Sequence, residues 1–396
     1  MSDLLSILTS LAWPFAVAVA WLAGEFGQRW TGLPRVSFYA LVGFILASGQ
    51  VGVLPVPEGG PVLVMADVAF GLMLFELGYR INLRWLRTNP WIGVTGLVEA
   101  GATFAAVYLV ATAFGSAQMT ALMLAALSMA TSPATVVRVV NEQRSSGQVT
   151  ERVMHLSALN CVLAVFAFNL VVGFSMFRAS EDLADATLNS LVVLLLSALA
   201  GAVAGIVVPS ILRALGNLAQ DATIAFALSV ILLVSVTYTF HLSPVVAALA
   251  FGLTARHRRV SFGQAQRNFG ALGELLAVLL FVFAASTLDW RQVLAGGLLA
   301  VALIAVRLLT KTLGVTAFAH LSGISWRKGV LTGLGLAPLS VFVILLLEHA
   351  RQAGLQLAET VRALAAVTLL LEVFAPIILQ RALIWAHETP EQQHGA

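Results

Sequence analysis

Charged residues are scarce in this chain of 396 residues. They make up 10% of the sequence, whereas an average soluble domain carries about 25%. Apolar residues account for 59%, and the mean hydropathy is +0.93. A globule of this composition would lack the polar surface that keeps a protein in water, which excludes a soluble enzyme and a disordered protein. The net charge is only +3, and most basic residues lie in short loops, so we also exclude nucleic acid as a partner.

Cysteine is almost absent as well. The single residue, Cys161, excludes an internal disulfide framework and a cysteine-based zinc site. The seven histidines show no HExxH or other metal-ligand spacing, and the patterns GxxxxGK[ST] and GxSxG do not occur. The sequence therefore predicts neither an enzyme nor a resident metal or other cofactor.

Long apolar runs are abundant instead. A helix needs about 20 apolar residues to cross a bilayer, and charged, proline and glycine positions divide the chain into thirteen such segments. The first has no basic residues before it and no cleavage site after it, so we interpret it as a retained span. The eighth and ninth are separated only by His241–Pro244. The predicted spans are 4–23, 35–53, 61–79, 90–114, 117–140, 152–177, 187–212, 221–240, 243–256, 270–288, 293–319, 328–349 and 359–384.

The basic residues predict the orientation of these spans. Lysine and arginine concentrate in the cytoplasmic loops of membrane proteins. With the N-terminus outside, the inner loops hold sixteen of them and the outer loops four, while Arg307 and Lys311 lie inside span 11. This bias predicts an odd number of spans and a cytoplasmic C-terminus. We expect one transmembrane domain over residues 1–386, followed by a polar, disordered tail at 387–396.

An odd number of spans allows two six-span halves of opposite orientation. The segment Ala130–Val137 of span 5 resembles Leu336–Phe342 of span 12, with Pro133 aligned to Pro338, and spans 2 and 9 show a second similarity. Proline removes a helical hydrogen bond, and one such position alone is more typical of a simple kink. Matched interruptions seven spans apart instead indicate a transporter site built from two unwound helices.

Ionisable residues inside spans are the candidates for function. Lys311 lies near the middle of span 11, where a lysine costs about 2.5–3.5 kcal/mol on insertion scales. We favour a functional ion pair over a side chain that reaches the membrane surface. Glu99 and Glu372 are deep enough in their spans to be its partner, as is Asp67, and the sequence does not decide among them.

The motifs as a series resemble the monovalent cation:proton antiporter family, in its bacterial sodium/proton and potassium/proton exchanger branch. The resemblance covers spans 1 to 13 in order, although each motif alone is weak. It implies a thirteen-span sodium/proton antiporter fold with an inverted repeat, two discontinuous crossing helices and a mobile core. It also implies a homodimer in the bacterial plasma membrane. The segments that carry it are Gly32–Pro34, Val42–Gly49, Phe70–Gly78, Thr131–Pro133, Leu280–Ser286 and Gly333–Pro338.

The resemblance also implies an ion site at the two breaks and in spans 6 and 11. The family normally has an aspartate at the position of Cys161, and this carboxylate exchanges a proton for a cation. A thiol is a poor ligand for alkali cations, which prefer oxygen, so the coupling chemistry must differ in this chain. The implied site residues are Thr131, Ser132, Asn160, Cys161, Lys311 and Ser340.

Three functions remain open on the sequence alone. The first, which we favour, is secondary-active exchange of Na⁺ or K⁺ for a proton, with the proton carried by Lys311 or by a displaced acid, Glu99 or Glu372. The second is transport of an anion or organic acid, attracted by an uncompensated Lys311, without proton exchange. The third is a membrane sensor or scaffold that does not transport.

Overall fold

All regular secondary structure in the residues that the computed structural model describes is helical, and these residues contain no β-strand. The described residues are 2–55, 61–176, 183–214, 222–257, 265–291, 297–339, 343–347 and 358–390. The helices, numbered in chain order, are α1 (Ser2–Thr31), α2 (Arg35–Leu46), α3 (Pro61–Arg80), α4 (Leu83–Thr88), α5 (Trp91–Ala113), α6 (Gln118–Ser128), α7 (Pro133–Gln143), α8 (Gln148–Met176), α9 (Leu183–Ala214), α10 (Ala222–Thr239), α11 (Pro244–His257), α12 (Ala265–Ser286), α13 (Gly297–Ala317), α14 (Trp326–Gly335) and α15 (Ala358–Trp385). A further helical stretch covers residues 343–347.

Within the described part of the chain, seven segments are long and apolar enough to cross a membrane, and they confirm the prediction of an all-α polytopic membrane protein. Three shorter apolar helices, Arg35–Leu46, Thr223–Thr239 and Gly273–Ser286, coincide with predicted spans 2, 8 and 10. The total of thirteen spans stays a prediction. The seven segments are Val62–Arg80, Trp91–Ala113, Gln118–Gln143, Gln148–Gly173, Leu188–Ala214, Gly297–Ala317 and Leu364–Trp385.

The surface of α9 has the character of a lipid-facing helix. Leu188, Leu195, Leu199 and Val203 are each at least half exposed, although all are apolar. A continuous apolar stripe of this kind would drive a water-soluble protein to associate. In a bilayer the same side chains contact acyl chains, and the helix needs no polar face.

The predicted division between spans 8 and 9 is confirmed as a break in the helix. α10 ends at Thr239 and α11 begins at Pro244, with His241 in a left-handed conformation at φ 53°. The N–H of Ser243 donates to the hydroxyl of Ser197 on α9 at 2.8 Å, which gives a buried backbone donor a partner.

The packing of the helices fits the exchange of partners that an inverted repeat requires. α2 packs against α12 and α3 against α11, which are contacts between spans 2 and 10 and between spans 3 and 9. An inverted repeat that equates each span with the one seven positions later pairs span 2 with span 9 and span 3 with span 10. The contact between spans 2 and 10 then corresponds to the contact between spans 9 and 3. α5 and α13, which form spans 4 and 11, likewise pack against each other. The repeat itself stays a prediction.

The polar tail begins as ordered structure, so the expectation of disorder is wrong for its first residues. Glu388 is 3% exposed, and its carboxylate accepts hydrogen bonds from the backbone N–H groups of Val149 and Thr150, each at 2.8 Å. A carboxylate at this place satisfies free donors at the start of α8 and complements the helix dipole. Residues 391–396 lie outside the described part of the chain.

Candidate functional site

Both helices that the sequence predicts to be interrupted at a proline are interrupted. Residues 129–132 separate α6 from α7, and residues 336–339 follow the end of α14 without helical structure. The N–H of Ser132 donates to the carbonyl of Pro338 at 2.9 Å, so the two unwound segments are in contact. Pro133 occupies the first turn of α7, where a helix needs no N–H, and this lets a new helix start there.

Arg307 on α13 binds the carbonyl groups that these interruptions leave without helical partners. The residue is fully buried. Each carbonyl left without a donor would cost several kcal/mol in lipid, so these groups need a partner. Because the guanidinium is planar and rigid, its hydrogen bonds also hold the two interruptions in one relative geometry. Its five acceptors are the carbonyls of Ser128 at 3.0 Å, Ala130 at 2.7 Å, Ala337 at 2.6 Å, Leu336 at 3.3 Å and Pro338 at 3.3 Å.

Helix dipoles add to this arrangement. α6 and α14 both end at the interruptions, so the negative ends of two dipoles face the Arg307 guanidinium. At the positive end of α7, the hydroxyl oxygen of Ser132 accepts from the N–H of Thr135 at 3.2 Å. The charge of Arg307 therefore stabilises the two helix ends that meet at the crossing.

Lys311 lies one helical turn beyond Arg307 and forms a buried ion pair with Glu99 of α5. Its Nζ atom is 3.1 Å from Oε2 and 3.3 Å from Oε1 of that carboxylate, and both side chains are fully buried. The ammonium also donates to the carbonyl of Met129 at 3.0 Å, in the interruption between α6 and α7. The pair thus contacts the unwound segment directly.

A close approach of α5 to α13 makes this pair possible. A Cβ atom at Gly314 would lie 2.7 Å from the Cβ atom of Glu99, so only glycine fits there. The hydroxyls of Thr103 and Thr310 hydrogen-bond across the same two helices at 3.2 Å. These contacts fix the register at which the carboxylate meets the ammonium.

α8 completes the site from the opposite side. The amide nitrogen of Asn160 donates to Glu99 Oε1 at 2.5 Å and to the Thr131 hydroxyl at 3.2 Å. Its Oδ1 atom is buried and has no donor among the described residues. Cys161, also fully buried, donates from its thiol to the carbonyl of Thr131 at 3.2 Å. One described site therefore joins α5, α8, α13 and the α6–α7 interruption.

Most of the predicted site residues meet at this place. Thr131, Ser132, Asn160, Cys161 and Lys311 are all at the crossing, and of the two candidate acids the structure brings Glu99 to the lysine. Glu372 is buried on α15, and the described contacts of the ion pair do not include it. Ser340 lies outside the described residues. Sequence reasoning missed Arg307 as a site residue, although an arginine one turn from a buried lysine was a usable signal.

The premise of an uncompensated Lys311 is wrong. Glu99 neutralises the ammonium at hydrogen-bonding distance, so Lys311 presents no uncompensated positive charge to an anion. An anion would also have to compete with a carboxylate that is already buried and bonded. The hypothesis of anion transport rested on an uncompensated Lys311, and it therefore loses its support.

One ion pair and two hydrogen bonds join α7, which follows the interruption, to helices outside the site. Arg138 on α7 is 2.7 Å from Glu76 of α3, and Asn141 donates to the same glutamate at 3.0 Å. Near the end of α7, Glu142 accepts from the backbone N–H of Arg35 at 3.3 Å. Any movement of α7 against α2 and α3 must break these contacts.

Two interrupted helices that cross beside a buried, paired charge define the class of secondary transporters. The transmembrane family model of the sodium/hydrogen exchangers matches residues 15–385, and the chain belongs to that family. Membership confirms the resemblance seen in the motifs and the prediction that the protein is not an enzyme. It places the chain among the cation/proton antiporters. A comparison with curated protein sequences gives no match.

Solved structures give the same fold. The sodium proton antiporter MjNhaP1 from Methanocaldococcus jannaschii at pH 8 superposes with a TM-score of 0.70 at 17% identity, over 96% of this chain and 97% of the other. A second structure of the same antiporter, from electron microscopy, gives a TM-score of 0.69 at 16% identity, over 93% and 94%. At these identities the likeness establishes the fold and leaves the roles of individual residues to be argued from the site.

Proposed function

We propose that this protein exchanges a monovalent cation for a proton and that Glu99, on α5, supplies the carboxylate of the exchange. The observation that carries this proposal is the buried pair between Glu99 and Lys311, at 3.1 Å and in contact with the α6–α7 interruption. The coupling site is thereby altered from the family pattern, in which span 6 provides the acid.

The chemistry follows from the need to keep a buried site near neutrality. When Lys311 is protonated, its ammonium balances the Glu99 carboxylate, and the 3.1 Å contact between the two side chains fits this arrangement. A cation that binds Glu99 takes over this balance, and Lys311 then releases its proton to water. An uncompensated charge in a low-dielectric interior is strongly unfavourable, so cation and proton occupy the site in alternation.

The oxygen atoms around Glu99 suit an alkali cation. Asn160 Oδ1 has no donor among the described residues and is available as a ligand, and the Thr131 hydroxyl lies 3.2 Å from the Nδ2 atom of the same amide. Carboxylate, amide and hydroxyl oxygens are hard ligands of the kind that such cations prefer, whereas the Cys161 sulfur is not. We assign the cation as Na⁺ in accordance with the family model, with K⁺ as the alternative.

The proposed exchange carries one proton for each cation. The site gains one positive charge when Lys311 is protonated and one when a monovalent cation binds, so a complete cycle moves no net charge. We therefore expect the exchange rate to be unaffected by a membrane potential imposed on vesicles. A rate that follows the potential would contradict the one-for-one ratio.

The setting of this activity is also part of the proposal. We infer a homodimer in the bacterial plasma membrane, with the N-terminus outside, the C-terminus in the cytoplasm and one transport domain over residues 1–386. The excess of basic residues in the predicted inner loops supports the orientation. Fusing a reporter to each terminus tests it, and two termini on the same side would contradict it.

The experiment for the function uses proteoliposomes that contain a pH-sensitive dye. Addition of Na⁺, K⁺ or Li⁺ to the purified wild-type protein is expected to cause proton movement with at least one cation. Glu99→Gln should abolish this signal. Glu151→Gln, on the same helix as Asn160 but with its side chain 43% exposed, is the control and should retain it. Wild-type protein that responds to none of the cations would overturn the proposal in favour of a different cargo or a non-transporting role.

A further inference from the structure

A cavity with mostly apolar walls and a few polar side chains lies apart from the Glu99–Lys311 pair. It has a volume of about 430 Å³ and is bounded by α3, α8, the α10–α11 connection and the helical stretch 343–347. The side chains that matter for its chemistry are Asp67, Asn169, Tyr238 and His241. On the predicted orientation, the start of α3, the end of α8 and the α10–α11 connection all belong to the outer face, so the cavity is an outer vestibule.

The vestibule points towards the Glu99 site along one face of α8. Asn169 and Val165 line the cavity, and Cys161 precedes Val165 by four residues on the same helix. Residues four apart lie on the same side of a helix, about 6 Å from each other along its axis. The buried side chain of Val165 therefore separates the cavity from the thiol at the crossing by one turn.

The charge in the vestibule is negative. Asp67 is 7% exposed, and the Tyr238 side chain interacts with its carboxylate. The described lining residues include no lysine or arginine, and the other titratable side chains among them are Tyr238 and the exposed His241. A cleft with apolar walls and one sign of charge concentrates counter-ions, which here are cations.

We propose that this vestibule is a second cation site, in which Asp67 holds the monovalent cation before it moves to Glu99. The cavity is large enough for a cation that keeps part of its hydration, and Asn169 and Ser243 offer further oxygen ligands. Because the cation passes this site on its way to Glu99, Asp67 sets the apparent affinity for a cation that is supplied from outside. This inference rests on the cation exchange proposed above.

Transport from each side tests the assignment. Asp67→Asn should raise the apparent KM for the cation about three- to tenfold when the cation is supplied from outside, with little change in the maximal rate. The apparent KM from inside should be unchanged. Asp289→Asn removes a carboxylate from the same predicted face outside the cavity and should leave both values as in the wild type. An unchanged apparent KM in Asp67→Asn, with active wild-type protein, would overturn the second site and leave the proposed function standing.

A thiol-labelling measurement detects the negative charge of Asp67 without requiring transport. In a Cys161→Ser background, Asn169→Cys places the only thiol in the vestibule. A cationic thiosulfonate should then react several-fold faster than an anionic one of similar size, and Asp67→Asn should remove that preference. Na⁺ should slow the cationic reagent when Asp67 is present. A ratio that does not respond to Asp67→Asn would overturn the site even if exchange itself is never observed.

Discussion

The Nζ atom of Lys311 lies 3.1 Å from Oε2 of Glu99, and neither side chain has exposed surface. The two residues come from α5 and α13, which are spans 4 and 11 of the predicted repeat. The lysine also reaches the carbonyl of Met129, so a change in its charge acts on the α6–α7 interruption. A proton gained or lost at this place is thereby linked to the part of the fold that is not helical.

The first prediction separates the contribution of this pair to stability from its role in exchange. Glu99→Gln leaves a buried lysine without its partner, which should lower the free energy of unfolding by about 3–5 kcal/mol. The double variant Glu99→Gln/Lys311→Met removes both charges and should recover most of that loss, while remaining inactive. Melting temperatures in detergent and dye-based exchange assays measure the two effects. If the stability losses of the single variants Glu99→Gln and Lys311→Met simply add in the double variant, the pairing is contradicted.

The second prediction concerns Arg307. Lysine keeps the positive charge but has three donors on one nitrogen, so Arg307→Lys cannot bind all five carbonyls at the crossing. We expect a clear fall in melting temperature and a loss of exchange. Arg84→Lys, on the exposed face of α4, makes the same chemical change and should have no effect. Wild-type stability in Arg307→Lys would show that the carbonyls are satisfied in another way.

The third prediction uses Cys161 to relocate the carboxylate. The Cys161 thiol donates to the Thr131 carbonyl, and Lys311 donates to the Met129 carbonyl in the same interruption, so position 161 lies near the lysine. Glu99→Gln should be inactive, and adding Cys161→Asp should restore cation-dependent proton movement, because a carboxylate again balances the lysine. Cys161→Ser is the control and should behave as the wild type. Failure of the rescue in a folded double variant would mean that position 161 cannot replace position 99.

The fourth prediction concerns the ion pair between Arg138 of α7 and Glu76 of α3, at 2.7 Å. We expect Arg138→Gln to weaken the packing of α7 against α3 at the predicted inner side and so to favour states that are open to that side. The apparent KM should then fall when the cation is supplied from inside and rise when it is supplied from outside. Inside-out and right-side-out vesicles measure the two values. Arg29→Gln, in a surface pair whose arginine is 69% exposed, is the control, and equal shifts in both variants would contradict a specific role.

The sequence alone predicted the class of fold and the place of the interruptions. Its composition requires a membrane, because too few polar residues exist to cover a soluble globule. Pro133 and Pro338 disrupt helical hydrogen bonding wherever the rest of the chain lies, since the effect of proline is local. Lys311 was identified for a similar reason, because its depth in an apolar run can be counted along the chain.

Only the tertiary structure decided which acid meets the lysine. Glu99 and Glu372 are equally plausible by depth, and the choice depends on the approach of α5 to α13 at Gly314, which no local pattern encodes. The role of Arg307 was hidden for a related reason. Its acceptors are backbone carbonyls, which every residue possesses, and they become free only where two distant segments unwind and cross. Local chemistry therefore fixed where the chain breaks, and long-range packing fixed which charges the breaks bring together.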